Sequence, residues 1–545
     1  MTIISLVLIM LLLVVVSGFV VRMLPWPIPL PLVQITLGSV IALFSDFNVV
    51  LDPEIFFLLF LPPLLFLDGW RIPKKGLFRD KGTILELSLG LVIFTVIGMG
   101  YFIHWLIPAM PLAVSFALAA VVSPTDPVAV SAIAAKTPIP KRIMHILEGE
   151  SLLNDASGLV CLRFAVAAAL SGMFSITSAV GTFLWLAIGG IAIGVLVTLG
   201  IAKAKSWLSL RLGEETGTQI LISLLIPFGA YLAAEHLHCS GILAAVAAGI
   251  TMSYVETSGK VNAVTRVRRN VVWDAIQFSA NGVIFVLLGQ QLPDLANGAA
   301  RIVIESGHHQ SWWLGIYIVA ITFGLALLRF CWVWISVRFT MLRAHYTGQS
   351  VQKTHWRMIA AMSVAGVRGA VTLAGVLTLP VVMLDGSPFP ARDLAIFMAA
   401  GVIILSLVVA SISLPRLMKG LNLPPEPSHE AEEDFARQES SKAALQAIEQ
   451  AQHHINMSQG DEHIYAEAAA RVMGFYHHQM DDRHRTEEGK EYLRRIEDIE
   501  RHFHLVALNA ERDEIFRLSR TRQIEDDVMR KFVREIDLME ARYSS

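Results

Sequence analysis

Residues 111–135 read PLAVSFALAAVVSPTDPVAVSAIAA, an apolar run of bilayer-spanning length interrupted at its centre by Ser123-Pro124-Thr125-Asp126-Pro127. A membrane core needs about 20 apolar residues per helix. Pro124 and Pro127 each lack a backbone donor and bias the preceding residue away from helical geometry, so the spacing predicts an unwound chain around Thr125-Asp126. Unwound backbone is tolerated in hydrocarbon only where it lines a cavity or meets another polar group. A carboxylate beside carbonyl oxygens released from helical bonding suits a small hard cation, which prefers oxygen ligands. A proline kink in which Asp126 caps the following half-helix is the plainer alternative, and the two are compatible.

Working outward, apolar runs lie near 3–21, 28–45, 51–69, 82–107, 111–135, 143–170 and 177–202, then near 217–235, 240–255, 272–291, 312–337, 356–383 and 392–416. That gives thirteen transmembrane helices, with no removable leader expected at the N-terminus. The loops check the count, because cytoplasmic loops concentrate Lys and Arg. Alternate loops from Arg22 to Arg357 hold twenty such residues, and the opposite set holds only Arg301 and Arg392. This places the N-terminus outside and the C-terminus in the cytoplasm.

The charges divide the chain of 545 residues in two. Residues 1–420 carry 27 Lys+Arg and 19 Asp+Glu, whereas residues 421–545 carry 17 and 27. The first part reads as a transmembrane domain and the second as a water-exposed, helical cytoplasmic tail. Apolar residues at helical spacing in the tail (Leu493, Ile496, Ile499, Phe503, Val506, then Val528, Phe532, Ile536) suggest amphipathic helices packed together or against another tail. Nine of the seventeen histidines fall there, including His453-His454, His477-His478, His502 and His504. They suit a solvated surface, a regulatory response to pH, or metal binding. Cys161, Cys239 and Cys331 are scattered and offer neither a disulfide framework nor a cysteine metal site.

Thirteen spans divide as six, one and six. The fifth is interrupted at 123–127 and the twelfth at Gly366-Val367-Arg368-Gly369-Ala370. Paired interruptions in two halves point to two inverted six-helix repeats around a midplane site, the plan of a secondary transporter. Charges within spans are costly and usually functional. In Glu150-Ser151-Leu152-Leu153-Asn154-Asp155, helical spacing puts Ser151 and Asp155 on one face and Glu150 and Asn154 beside them. The alternative is that this first turn still lies in the membrane interface. Arg368 cannot shed its proton and so demands a partner, while Gly366 and Gly369 admit a close helix. Arg163 and Arg329 read as weaker candidates, Arg329 as a residue able to snorkel to the cytoplasmic edge.

Three strings, SPTDPVAV, EGESLLNDASG and GVRGAVTLA, occur in this order. Together they resemble the monovalent cation:proton antiporter family that includes the sodium/hydrogen exchangers. The resemblance covers residues 1–420. It implies that Asp155 alternately binds proton and cation, with Ser151 and the Thr125 backbone as ligands and Asp126 nearby. Asn154 stands where electrogenic relatives have a second aspartate, which implies electroneutral exchange. Glu150 and Arg368 would form an ion pair tying the sixth span to crossed, discontinuous helices. A homodimer in the plasma (inner) membrane serving pH homeostasis is implied, with sodium or lithium exchanged for protons and potassium as the rival ion. Membrane lipid is the expected surrounding partner, and neither a resident cofactor nor nucleic acid is expected.

The coupling follows from electrostatics. A bare carboxylate crosses a low-dielectric barrier at high cost, whereas one neutralised by a proton or a sodium ion crosses cheaply. The sequence holds no Walker-type phosphate loop, no Gly-x-Gly-Asp element of an intramembrane protease, no His-Glu-x-x-His pair and no potassium-channel filter. An enzyme and a channel are therefore the poorer readings.

Overall fold

The computed structural model describes residues 2–24, 28–44, 53–72, 74–126, 141–171, 176–212, 215–256, 263–305, 312–346, 355–383, 385–419, 429–454, 467–474, 487–521 and 526–543. They fall into two compact units, Met1–Asn422 and Leu423–Ser545.

The first unit is helical, and a helix overlies every apolar run read from the sequence. The helices are α1 (Thr2–Met23), α2 (Leu30–Phe44), α3 (Pro53–Arg71), the short α4 (Lys74–Arg79), α5 (Lys81–Leu106), α6 (Leu112–Val122) and α7 (Lys141–Ser171). They continue as α8 (Ile176–Leu212), α9 (Thr216–His236), α10 (Gly241–Glu256), α11 (Ala263–Glu305), α12 (Trp313–Tyr346), α13 (Trp356–Val364), α14 (Ala370–Leu377) and α15 (Arg392–Met418). Seven of these, among them α5, α7 and α15, are long and apolar enough to cross a membrane by length and composition.

Several helices outrun their apolar stretches. Residues 272–291 suffice for a span, yet α11 has 43 residues. Its N-terminal extension buries Arg269, which hydropathy assigns to a loop. The guanidinium lies 4.8 Å from the Trp70 ring centre and pairs with Glu256, which also accepts a 2.6 Å hydrogen bond from Trp70 Nε1. A cation enclosed this way stays in the fold because its charge is matched and an aromatic face covers it. In the opposite sense, the run 356–383 is not one helix. α14 ends at Leu377, and Pro380, Gly386 (φ 80°) and Pro388 redirect the chain into a small turn with a bridge between Val382 and Pro388.

The helices pack in two groups, joined chiefly where α11 lies against α15. α1, α2, α3, α8, α9, α10 and α11 contact one another, with α2 on α11 and α3 on α10 as the main seams. The α2–α11 crossing is tight: a Cβ on Gly38 would overlap the Val286 carbonyl, and one on Gly289 the Ile35 carbonyl. Such small-residue crossings are how apolar helices gain dispersion contact where lipid offers no hydrophobic drive. The second group comprises α5, α6, α7, α12, α13, α14 and α15. α7 packs on α5 and α6 and touches the first group only lightly, at α3 and α10. Within α5 a π-helical stretch, Glu86–Leu91, precedes Val92, whose carbonyl accepts from Ser123 Oγ at 3.5 Å.

The second unit contains helices His429–His454, 467–474, Glu487–Arg520 and Asp526–Tyr543. The last two pack together through Leu508 and Ile536, and Arg512 pairs with Asp537 at 3.1 Å and with Glu540. Ile499, Phe503, Val506, Val528 and Phe532 stay exposed, so of this part of the stripe read from the sequence Ile536 is buried within this unit. His477 and His478 lie outside the described residues.

Candidate functional site

Both interruptions in the sequence interrupt the structure. α6 stops at Val122, and Ser123–Asp126 leave the helix; Pro127 and the rest of that apolar run lie outside the described residues. The chain likewise leaves helical geometry between Val364 and Ala370. The two breaks meet. The Asp126 backbone N–H donates to the Val367 carbonyl at 2.7 Å. Each break thus satisfies a main-chain group that the other leaves without an intrahelical partner, as a low-dielectric surrounding requires.

The junction is close. A Cβ on Gly369 would overlap the Asp126 carboxylate, and one on Gly366 would stand 3.0 Å from Arg329 Cδ and 3.2 Å from Thr125 Cγ2. Gly369→Ala is therefore expected to push the breaks apart. It should lower stability by about 1–3 kcal/mol of overpacking strain. A wild-type melting temperature in Gly369→Ala would contradict the crossing geometry.

α7 carries the polar cluster past this crossing. Glu150, Ser151, Asn154 and Asp155 are all buried, with side chains 1% to 8% exposed. Asn154 Nδ2 donates to Thr125 Oγ1 at 3.0 Å, and Thr125 Oγ1 donates to Glu150 Oε1 at 3.2 Å. This chain fixes the first break against α7. Asn154 Oδ1 is buried and accepts no hydrogen bond among the described residues. Nor does any described residue donate to the Asp155 carboxylate, and Asp126 and Asp68 are near enough to act on it electrostatically. One residue of the cluster is thus committed to the scaffold, and its neighbour Asp155 keeps its lone pairs for something else.

The expected pairing of Glu150 with Arg368 is corrected. Glu150 takes a two-pronged bond from Arg329, with Nη1 to Oε1 at 2.5 Å and Nη2 to Oε2 at 2.7 Å. Arg329 Nε donates to the Met362 carbonyl at 3.0 Å, tying α12 to the end of α13. Arg368 spends its donors on carbonyls instead. Its Nε donates to Val122 O at 2.8 Å, its Nη1 to Gly366 O, and its backbone N–H to Ser406 Oγ at 3.3 Å. Val122 is the last residue of α6, so the guanidinium sits where an interrupted helix presents unpaired carbonyls and the negative end of its dipole. Glu150 and Arg329 remain within electrostatic range of Arg368.

Two residues escape the sequence reading. Arg329 reads from sequence as a snorkelling side chain, yet α12 runs from Trp313 to Tyr346 and sets it at mid-helix, buried and bonded to Glu150 and the Met362 carbonyl. The full length of that helix, rather than its apolar part, carried the signal. Asp68, near the C-terminus of α3, is not among the charges singled out from the sequence, although it falls inside the run 51–69. It is solvent-accessible although protein surrounds it, with Asp126, Arg71 and Glu148 acting on its charge.

The family model for the sodium/hydrogen exchanger transmembrane region matches residues 8–420. An uncharacterized Na(+)/H(+) exchanger, YjcE, of Escherichia coli K12 is 40% identical over 540 residues, covering 98% of each chain. A sodium, potassium, lithium and rubidium/H(+) antiporter of Bacillus pumilus is 44% identical over 75% of this chain and 60% of its own length. The fold resembles the sodium proton antiporter MjNhaP1 of Methanocaldococcus jannaschii at a TM-score of 0.55 and 18% identity, over 77% of this chain and 99% of that one. The chain belongs to the sodium/hydrogen exchanger family: it is a multi-pass helical membrane transporter of the cation/proton antiport class, not an enzyme.

Proposed function

We propose that the protein exchanges sodium or lithium for protons across the plasma (inner) membrane, electroneutrally, with Asp155 as the carboxylate that carries either ion. The observation that carries this reading is the buried Asp155 side chain, without a donor among the described residues, beside the crossed breaks at Thr125–Asp126 and Val367–Gly369. Ser151, one turn earlier on the same helix, and the Thr125 backbone would complete the cation's oxygen shell, with Asp126 at its edge. A proton or a metal ion neutralises Asp155, and only the neutralised states cross between the two openings. Asn154 adds no charge to the carrier, so one cation is exchanged for one proton.

The same reading takes residues 1–420 as thirteen spans in two inverted repeats, N-terminus outside, assembled as a homodimer, with residues 421–545 as a regulatory tail in the cytoplasm. The mutual hydrogen bonding of the fifth-span and twelfth-span breaks supports the repeats. Potassium is the second reading, favoured by the Bacillus pumilus relative, whose name includes potassium and rubidium beside sodium and lithium. Cavity size and the number of oxygen ligands decide among these ions.

Counterflow in proteoliposomes separates the possibilities. Sodium and lithium gradients should each drive proton movement, with no dependence of rate on imposed voltage. A rate that followed voltage would overturn electroneutrality, and exchange with potassium alone would overturn the sodium assignment.

A further inference from the structure

Arg163 lies eight residues beyond Asp155 on α7, about 12 Å further along the helix axis. Its Nη2 donates to Glu235 Oε1 at 3.0 Å. Glu235 lies at the end of α9, so this ion pair reaches from the Asp155-bearing helix to the other helix group, which α7 otherwise touches lightly, at α3 and α10. The two ends are held differently. Glu235 Oε1 also accepts from the backbone N–H of Gly241, the first residue of α10, at 3.2 Å. A carboxylate bonded to a helix N-terminus is anchored by N–H groups and by the dipole. Arg163 is half-exposed on a flexible stem, and no comparable anchor is seen for it among the described residues.

On the opposite side of Asp155 the character of the surface inverts. Glu148, seven residues earlier on α7, is half-buried, and Asp68 on α3 is accessible; the two carboxylates interact. One end of α7 thus carries an acid that interacts with Asp68, and the other end is joined by an ion pair to the other helix group.

We infer that Arg163 and Glu235 form a latch between the helix groups, holding the conformation in which Asp155 opens toward Asp68 and Glu148, and parting when α7 moves to the opposite opening. They are positioning residues, acting through α7 and not on the ion. The inference rests on the antiport reading, since only a carrier with two openings has a use for such a latch. A partly exposed pair contributes little energy, so its loss shifts the balance of openings by roughly two- to fivefold. The apparent affinity on each face follows the fraction of protein open to it.

The test is the half-saturating sodium concentration measured from each face in proteoliposomes, expressed as a ratio. Arg163→Gln and Glu235→Gln should each strengthen sodium binding on the Arg163 face relative to the Asp68 face by about two- to fivefold. Arg163→Lys should leave the ratio at the wild-type value, and Arg163→Gln combined with Glu235→Gln should shift it no further than either variant alone. A ratio unmoved in both neutral variants, or a double variant whose shift is the product of the two single shifts, overturns the latch. The antiport reading is decided separately, by whether wild type exchanges at all and Asp155→Asn does not.

Discussion

Asp155→Asn is expected to reduce cation-driven proton flux in vesicles to the level of protein-free liposomes while the protein still inserts and folds. Both halves of the expectation come from the environment of one side chain. An amide of nearly the same shape neither takes up nor releases a proton at any working pH, and it offers a cation a single neutral oxygen. Exchange coupled through that group has no partial version, so the loss is complete. Folding survives because no described residue donates to the Asp155 carboxylate, so the substitution breaks no hydrogen-bond network. Thermal melting in detergent should match wild type within a few degrees. Retained sodium-driven flux in Asp155→Asn would move the carrier role elsewhere, with Asp126 and Asp68 the nearest acids able to take it.

The parts of the site that were legible in sequence share a cause: each depends on backbone chemistry local to a few residues. Pro124 and the pair Gly366 and Gly369 announce breaks because missing donors and missing Cβ atoms act on their own neighbourhood. Spacing within Glu150–Asp155 announces a polar face because helical periodicity is local too. What failed was long-range pairing. Glu150 and Arg329 are 179 positions apart and Glu150 and Arg368 are 218 apart, so nothing in spacing distinguishes them. The choice was made by depth and by competition. Arg329 lies at the middle of a helix that continues well past its apolar part, and Arg368 is nearer a better set of acceptors, the open carbonyls of Val122 and Gly366. Asp68 was missed for a related reason. It lies one residue inside the end of the run 51–69, where a charge is ordinary, and only the fold brings it within electrostatic range of Asp126 and Glu148.

The corrected pairing gives an ordering of stability that the Glu150–Arg368 pairing does not. Glu150 is the shared carboxylate of two guanidinium groups, bonded to Arg329 and within range of Arg368. Removing it leaves two buried cations facing each other, so Glu150→Ala should be the most damaging change, at about 3–5 kcal/mol. Arg329→Met should cost less, because Arg368 remains close enough to take over part of the neutralisation. Arg368→Met should cost less again. It relieves repulsion between the two guanidiniums and leaves two carbonyls short of a donor, each worth about 1–3 kcal/mol when buried. The double variant Glu150→Gln with Arg329→Met should be more stable than Glu150→Ala alone, since it removes charge and counter-charge together. Melting temperatures in one detergent, taken with a refolding check, rank the four. If Arg368→Met melted below Glu150→Ala, the carboxylate would belong to Arg368 after all. If Arg329→Met melted like wild type, the two-pronged bond would carry no weight in holding α7 to α12.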